Sequence, residues 1–229
     1  MARLAFGNFG EDMASRVLAP RLVTIASAVL ALALPALAQA EGDPERGRQL
    51  SYTCYGCHGI PSYKNVYPTY SVPKLQGQFA DYLVIALQAY RTGERSHATM
   101  HSQAATLSDQ DMQDIAAFLA GKPLQAGNPA EGQAPAKATE LCVACHGTDG
   151  VGITPQYPTL AGQYADYLER ALKDYRDGGR KNPIMGGFVA SLSDADIKTL
   201  ATYYSEQKPT LSTAEHATWF LQASKSENQ

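Results

Sequence analysis

Cys54-Tyr55-Gly56-Cys57-His58 and Cys142-Val143-Ala144-Cys145-His146 decide how this chain is read. Both are C-x-x-C-H, and together they use all four cysteines. Two thiols three positions apart on a short helical turn reach the two vinyl groups of one porphyrin, and the adjacent His projects towards its iron as the proximal ligand. The pair therefore predicts two covalently bound haem c groups, one on Cys54, Cys57 and His58, the other on Cys142, Cys145 and His146. Three other uses of four cysteines compete. Two disulfides suit an exported protein, paired C-x-x-C knuckles suit a zinc site with four thiolates, and a single C-x-x-C suits a thioredoxin-like redox pair. None of these requires a His directly after the second Cys in both copies. The 84 residues between Cys57 and Cys142 also exceed the roughly 15 to 20 of the zinc pattern.

Outward from the pentapeptides, the chain repeats itself. Pro73-Lys74-Leu75-Gln76-Gly77-Gln78 returns as Pro158-Thr159-Leu160-Ala161-Gly162-Gln163, displaced by 85. At the same displacement Ala80-Asp81-Tyr82-Leu83 meets Ala165-Asp166-Tyr167-Leu168, Tyr90-Arg91 meets Tyr175-Arg176, Arg95 meets Arg180, and Leu107-Ser108-Asp109 meets Leu192-Ser193-Asp194. The cysteine motifs are displaced by 88, so the first copy holds three extra residues between its His and the Pro-x-Leu-x-Gly-Gln segment. They fall in the Pro- and Tyr-rich stretch 60–68, which makes the two haem surroundings unequal.

Each copy reads as helical. Asp43-Pro44 supplies an N-cap with Pro at the first helical position. Phe79, Leu83, Ala86, Leu87 and Tyr90 fall at 3.6-residue spacing before Gly93, as do Tyr164, Leu168, Ala171, Leu172 and Tyr175 before Gly178. Ser108 with Asp111, and Ser193 with Asp196, are capping boxes ahead of further apolar faces. Between the copies, Gly121 to Ala138 is rich in Pro and Gly and reads as a linker. No convincing alternating strand appears.

A closed electron-transfer haem needs a second axial ligand. Met100 and Met185 lie 85 apart, each seven residues before its Leu-Ser-Asp, in what reads as a loop. A lone Met more often fills a core gap, as Met112 does on its predicted helix. Matched placement favours ligation, so the metal ligands are expected to be His58 with Met100 and His146 with Met185. His97 and His101 flank Met100 and compete with it; the alternative for both is a solvated loop at the haem edge. His216 has no haem motif near it. Arg91 with Arg176 and Arg95 with Arg180 are either propionate partners or cations at helix ends. Pro73 and Pro158 are placed to offer a carbonyl to the proximal His ring.

The first 40 residues differ from the rest. Arg16 and Arg21 precede an apolar stretch from Leu22 to Leu37 that ends in Ala38-Gln39-Ala40. This is the pattern of a cleaved secretory signal, the alternative being a retained anchor. Those residues carry three basic and two acidic side chains, which leaves 16 basic against 20 acidic ones and a formal charge of −4. Nothing in that balance suggests nucleic-acid binding, so no nucleic-acid partner is expected.

In this combination the sequence resembles the dihaem cytochromes c4, over residues 44 to 207. The resemblance implies an all-α fold of two tandem class I cytochrome c-type domains related by internal repeat, with the haems close together near a pseudo-twofold axis. The expected division is signal peptide 1–40, domain 41–122, linker 123–138, domain 139–208 and tail 209–229. It also implies an electron carrier rather than an enzyme, working in the periplasm in a respiratory chain. Its redox protein partners would be a quinol-oxidising complex or a dehydrogenase as donor and a terminal oxidase as acceptor, with peripheral membrane association left open. Two other functions remain: the haem subunit of a dehydrogenase complex, or a dihaem peroxidase. The peroxidase needs a displaceable distal site, against which the matched Met residues argue. The insertion after His58 and the Ser96-His97-Ala98-Thr99-Met100 segment depart from typical members. The tail, with Trp219 and Phe220, is either a short docking helix or a frayed end.

Overall fold

A computed structural model of the chain describes residues 42–121 and 134–213. The leader, most of the linker, and the tail from residue 214 with His216, Trp219 and Phe220 lie outside the described residues. The first repeat contains α1 (Pro44–Leu50), a 3-10 turn (Ser51–Thr53), α2 (Tyr55–His58), α3 (Ala80–Thr92), α4 (Ala98–Ala105) and α5 (Asp109–Ala120). The second contains α6 (Ala136–Leu141), α7 (Val143–His146), α8 (Ala165–Arg176), α9 (Pro183–Val189) and α10 (Asp194–Glu206). Among the described residues there is no strand, only isolated antiparallel bridges, and no helix long and apolar enough to cross a membrane.

The helix limits follow from local chemistry. Asp43 caps α1 by accepting from the Glu45 and Arg46 amides, with Pro44 in the first turn where its missing N–H costs nothing. Gly93 ends α3 in the left-handed region at φ 78°, a conformation a side chain disfavours. Both capping boxes form: Ser108 with Asp111 opens α5, and Ser193 with Asp196 opens α10. Each satisfies two amides that the helix start would otherwise leave unpaired.

Each repeat packs its own apolar core. In the first, Leu83 of α3 meets Ile115, Ala116 and Leu119 of α5. In the second, Leu168 of α8 meets Ile197, Leu200, Ala201 and Tyr204 of α10, together with Ala138, Val189 and Leu192. Burying each large aliphatic side chain contributes about 1.5–3 kcal/mol, which holds helix pairs together that are too short to persist alone. In the first repeat α1 also crosses α5 closely. A Cβ on Gly47 would stand 1.9 Å from the Asp114 carbonyl oxygen.

The two repeats join along segments related by the 85-residue displacement. Ser96 donates to the Gly179 carbonyl and Lys181 to that of Glu94, both at 2.7 Å, which sets Arg95 beside Arg180. The Tyr-rich insertion folds onto the second repeat: the Ser62 amide donates to the Tyr164 hydroxyl at 3.0 Å, and Lys64 donates to Asp166 at 3.1 Å. Past α10 the chain returns to the first repeat, where Ser212 and Gln76 exchange two backbone hydrogen bonds and Leu211 is buried.

Candidate functional site

One cavity of about 980 Å³ runs through both repeats. Cys54, Cys57, His58 and Met100 line it in the first repeat, and Cys142, Cys145, His146 and Met185 in the second. No disulfide joins the four cysteines. No three metal-binding side chains gather among the described residues, so the four-thiolate zinc centre is not built. Burial pushes the Cys54 and Cys142 thiols up, the reverse of the lowered value that marks a reactive redox pair.

On the proximal side each histidine belongs to a one-turn helix that begins inside its C-x-x-C-H motif. His58 Nδ1 donates to the Pro73 carbonyl and His146 Nδ1 to the Pro158 carbonyl, both at 2.9 Å. This bond fixes the ring's tautomer and leaves Nε2 with its lone pair. Burial lowers both histidine pKa values against the opposing pull of those carbonyls, which keeps the rings neutral, the form that binds a metal.

On the distal side the expectation of a loop needs correcting. Met100 is the third residue of α4, and Met185 the third of α9. These helices are short enough to escape periodicity, but their caps match. Asn182 opens α9 by accepting from the Ile184 and Met185 amides, both at 3.0 Å. His97, at the same displacement of 85, opens α4 by accepting from the Met100 amide at 3.2 Å. His97 is therefore not simply a solvated loop residue; it has a structural counterpart, and that counterpart is Asn182. His101 is exposed, outside the cavity wall, with Nδ1 donating to the Tyr90 carbonyl at 2.8 Å.

The structure separates the two arginine pairs. Arg91 binds the Leu107 carbonyl and Asp109, and Arg176 binds the Leu192 carbonyl and Asp194. Arg91 thereby pins the start of α5, and Arg176 the start of α10. Arg95 and Arg180 are instead buried in the cavity wall, each stacked on a tyrosine, Tyr90 at 4.7 Å and Tyr175 at 5.4 Å from ring centre to guanidinium. Among the described residues Arg180 has one distant carboxylate, Asp174 at 3.8 Å. Arg95 forms no ion pair among the described residues, and its Nε lacks any hydrogen-bond partner. Two neighbouring buried cations without close anions are costly. A haem, whose propionates are two carboxylates, fits that deficit, and its vinyl groups fit the paired thiols.

Sequence reasoning missed Gln78 and Gln163. Both are buried and both reach into the opposite repeat, where each binds the backbone of the residue after the proline that holds the histidine. Their recurrence at the common displacement was the available signal.

The family model described as cytochrome c matches twice, at residues 44–122 and 129–208. The chain belongs to the cytochrome c family. Cytochrome c4 of Pseudomonas aeruginosa is 35% identical over 195 residues, which cover 78% of this chain and 96% of that protein. The solved structure of reduced recombinant cytochrome c4 from Pseudomonas stutzeri matches with a TM-score of 0.57 at 31% identity, over 73% of this chain and 100% of that one. The thiosulfate dehydrogenase electron acceptor of Stutzerimonas stutzeri is 34% identical over 169 residues, covering 66% of this chain and 77% of that protein. The all-α fold is that of two tandem cytochrome c domains of the dihaem c4 kind. Two haem c groups are its covalent cofactors, through Cys54 and Cys57 and through Cys142 and Cys145. It is an electron carrier, not an enzyme.

Proposed function

We propose that this chain shuttles single electrons between redox proteins of the periplasm, with His58 and Met100 on one iron and His146 and Met185 on the other. The observation that carries this reading is the matched pair of His and Met residues lining one cavity, each His held through Nδ1 by a proline carbonyl. Haem supplies a reversible one-electron couple, and Met ligation raises its potential relative to His. The chain's residues hold the imidazoles in one orientation, cap the helices that present the Met sulfurs, and wall off the site. His97 supports Met100 as the ligand, because its Nδ1 lone pair is already used by the Met100 amide. In that tautomer Nε2 carries the proton and offers nothing to a metal.

The A-x-A leader supports export, and residues 41–122 and 139–208 serve as the two domains, flanked by signal 1–40, linker 123–138 and tail 209–229. A quinol-oxidising complex is the proposed donor and a terminal oxidase the acceptor, as part of a respiratory chain. A dehydrogenase donor is a second reading, favoured by the likeness to an electron acceptor of thiosulfate dehydrogenase. A redox titration of the full haem-loaded protein with spectra tests the ligand set. Both oxidised haems should be low-spin, with the Met–iron absorption at the red end of the spectrum. A high-spin haem would sink the closed-site reading at that domain. Reduction rates measured with a quinol-oxidising complex and with a thiosulfate dehydrogenase decide the donor.

A further inference from the structure

We propose that each domain sets the potential of the other domain's haem, through Gln163 acting on His58 and Gln78 acting on His146. The inference rests on the two histidines as axial ligands. The His58 ring donates to the Pro73 carbonyl at 2.9 Å. That carbonyl shares one peptide group with the Lys74 N–H, which donates to Gln163 Oε1 at 3.0 Å, while Gln163 Nε2 donates back to the Lys74 carbonyl at 3.0 Å. The mirror arrangement is complete. His146 binds the Pro158 carbonyl, the Thr159 N–H of the same peptide donates to Gln78 Oε1 at 2.9 Å, and Gln78 Nε2 donates to the Thr159 carbonyl at 3.0 Å.

A hydrogen bond to the N–H side of a peptide polarises its carbonyl and makes it a stronger acceptor. A stronger acceptor at Nδ1 raises the basicity of the ring nitrogen facing the metal, which favours the oxidised iron. Both glutamines are at most 5% exposed, so water does not stand in for a lost amide. They are positioning residues: they touch neither iron ligand, yet fix and polarise the peptide that each ligand leans on. The two domains are thereby coupled without any shared ligand.

The test is Gln163→Met and Gln78→Met in the full haem-loaded chain, with each haem's potential followed through its own methyl resonances by NMR. Gln163→Met should raise the potential of the haem on Cys54 and Cys57 alone and speed hydrogen exchange at the Lys74 amide. Gln78→Met should do the same to the haem on Cys142 and Cys145 and the Thr159 amide. Should either variant fail to fold, Gln163→Asn and Gln78→Asn carry the same test, since their amides stop one methylene short. A shift in the variant's own domain, equal shifts in both haems, or no shift overturns the proposal. If His58 or His146 is not a ligand, the imidazole resonances of the unmodified protein reveal it first, which separates that failure from this one.

Discussion

The first domain ties its opening helix down with a buried carboxylate and close backbone contact, while the second leans on apolar packing. In the first, Asp114 is buried at the α1–α5 crossing, where it accepts from the Asp43 amide and Gln110 at 2.8 Å each and pairs with Arg46, which also reaches Asp111. Gly47 lets the helices meet there. At the matching point of α10 stands Thr199, which donates to the Ala195 carbonyl of its own helix, and α6 offers Ala138 to the core instead. The same repeat thus reaches the same haem-binding geometry from two different foundations. What it keeps in both copies includes the histidine, the proline carbonyl behind it, the Met helix and the glutamine clasp.

That contrast can be broken most severely at Gly47. Gly47→Ala forces a Cβ into the Asp114 carbonyl and should cost the first domain about 3 kcal/mol or more. Calorimetry should show its transition falling below that of the second domain; coincident transitions at the original temperature would refute the close crossing. Asp114→Ala should cost about 2 kcal/mol, the scale of losing hydrogen bonds to a charged group. Acid should reproduce part of this loss. Burial pushes the Asp114 carboxyl up, but the Asp43 amide, Gln110 and Arg46 outweigh it and hold the pKa below the ordinary carboxylate value. A pKa depressed on folding gives stability that is full above about pH 4 and lost as pH falls through the folded value. Urea midpoints should therefore show the first domain losing that increment in acid, and Asp114→Ala should remove the difference.

His97→Ala should have the smallest effect, about 1 kcal/mol for a lost N-cap, with His97→Asn restoring it because Asn182 does that work in the second domain. The Met–iron absorption should survive in both variants. A Met–iron band that is missing from the first haem of the unmodified protein and gained in His97→Ala would make His97 the ligand.

Much of this was legible in residue order. The doubled C-x-x-C-H, the 85-residue repeat, the Asp43 cap, the Gly93 stop and both Ser/Asp capping boxes are local signals, written within a few residues of where they act. The proline carbonyls behind the histidines were also readable, because their recurrence pointed to a shared task. The Met helices were not. At seven or eight residues they are too short for periodicity, and histidine is an unusual cap. Nor did the sequence separate Arg91 from Arg95, since both recur and only burial distinguishes a helix pin from a cavity cation. The glutamine clasp, the Gly47 crossing and the return of Leu211 and Ser212 to the first domain depend on contacts far apart in sequence, which repetition flags without explaining.

The most direct test of the central claim, two haems each closed by its own domain's His and Met, is the pair of variants Met100→Ala and Met185→Ala, read by absorption of the oxidised, haem-loaded protein. Each should remove about half of the Met–iron band while the other haem keeps its spectrum and potential, as expected of a ligand that tunes one site. An unchanged spectrum in Met100→Ala, or loss of the whole band from either variant, would contradict the account.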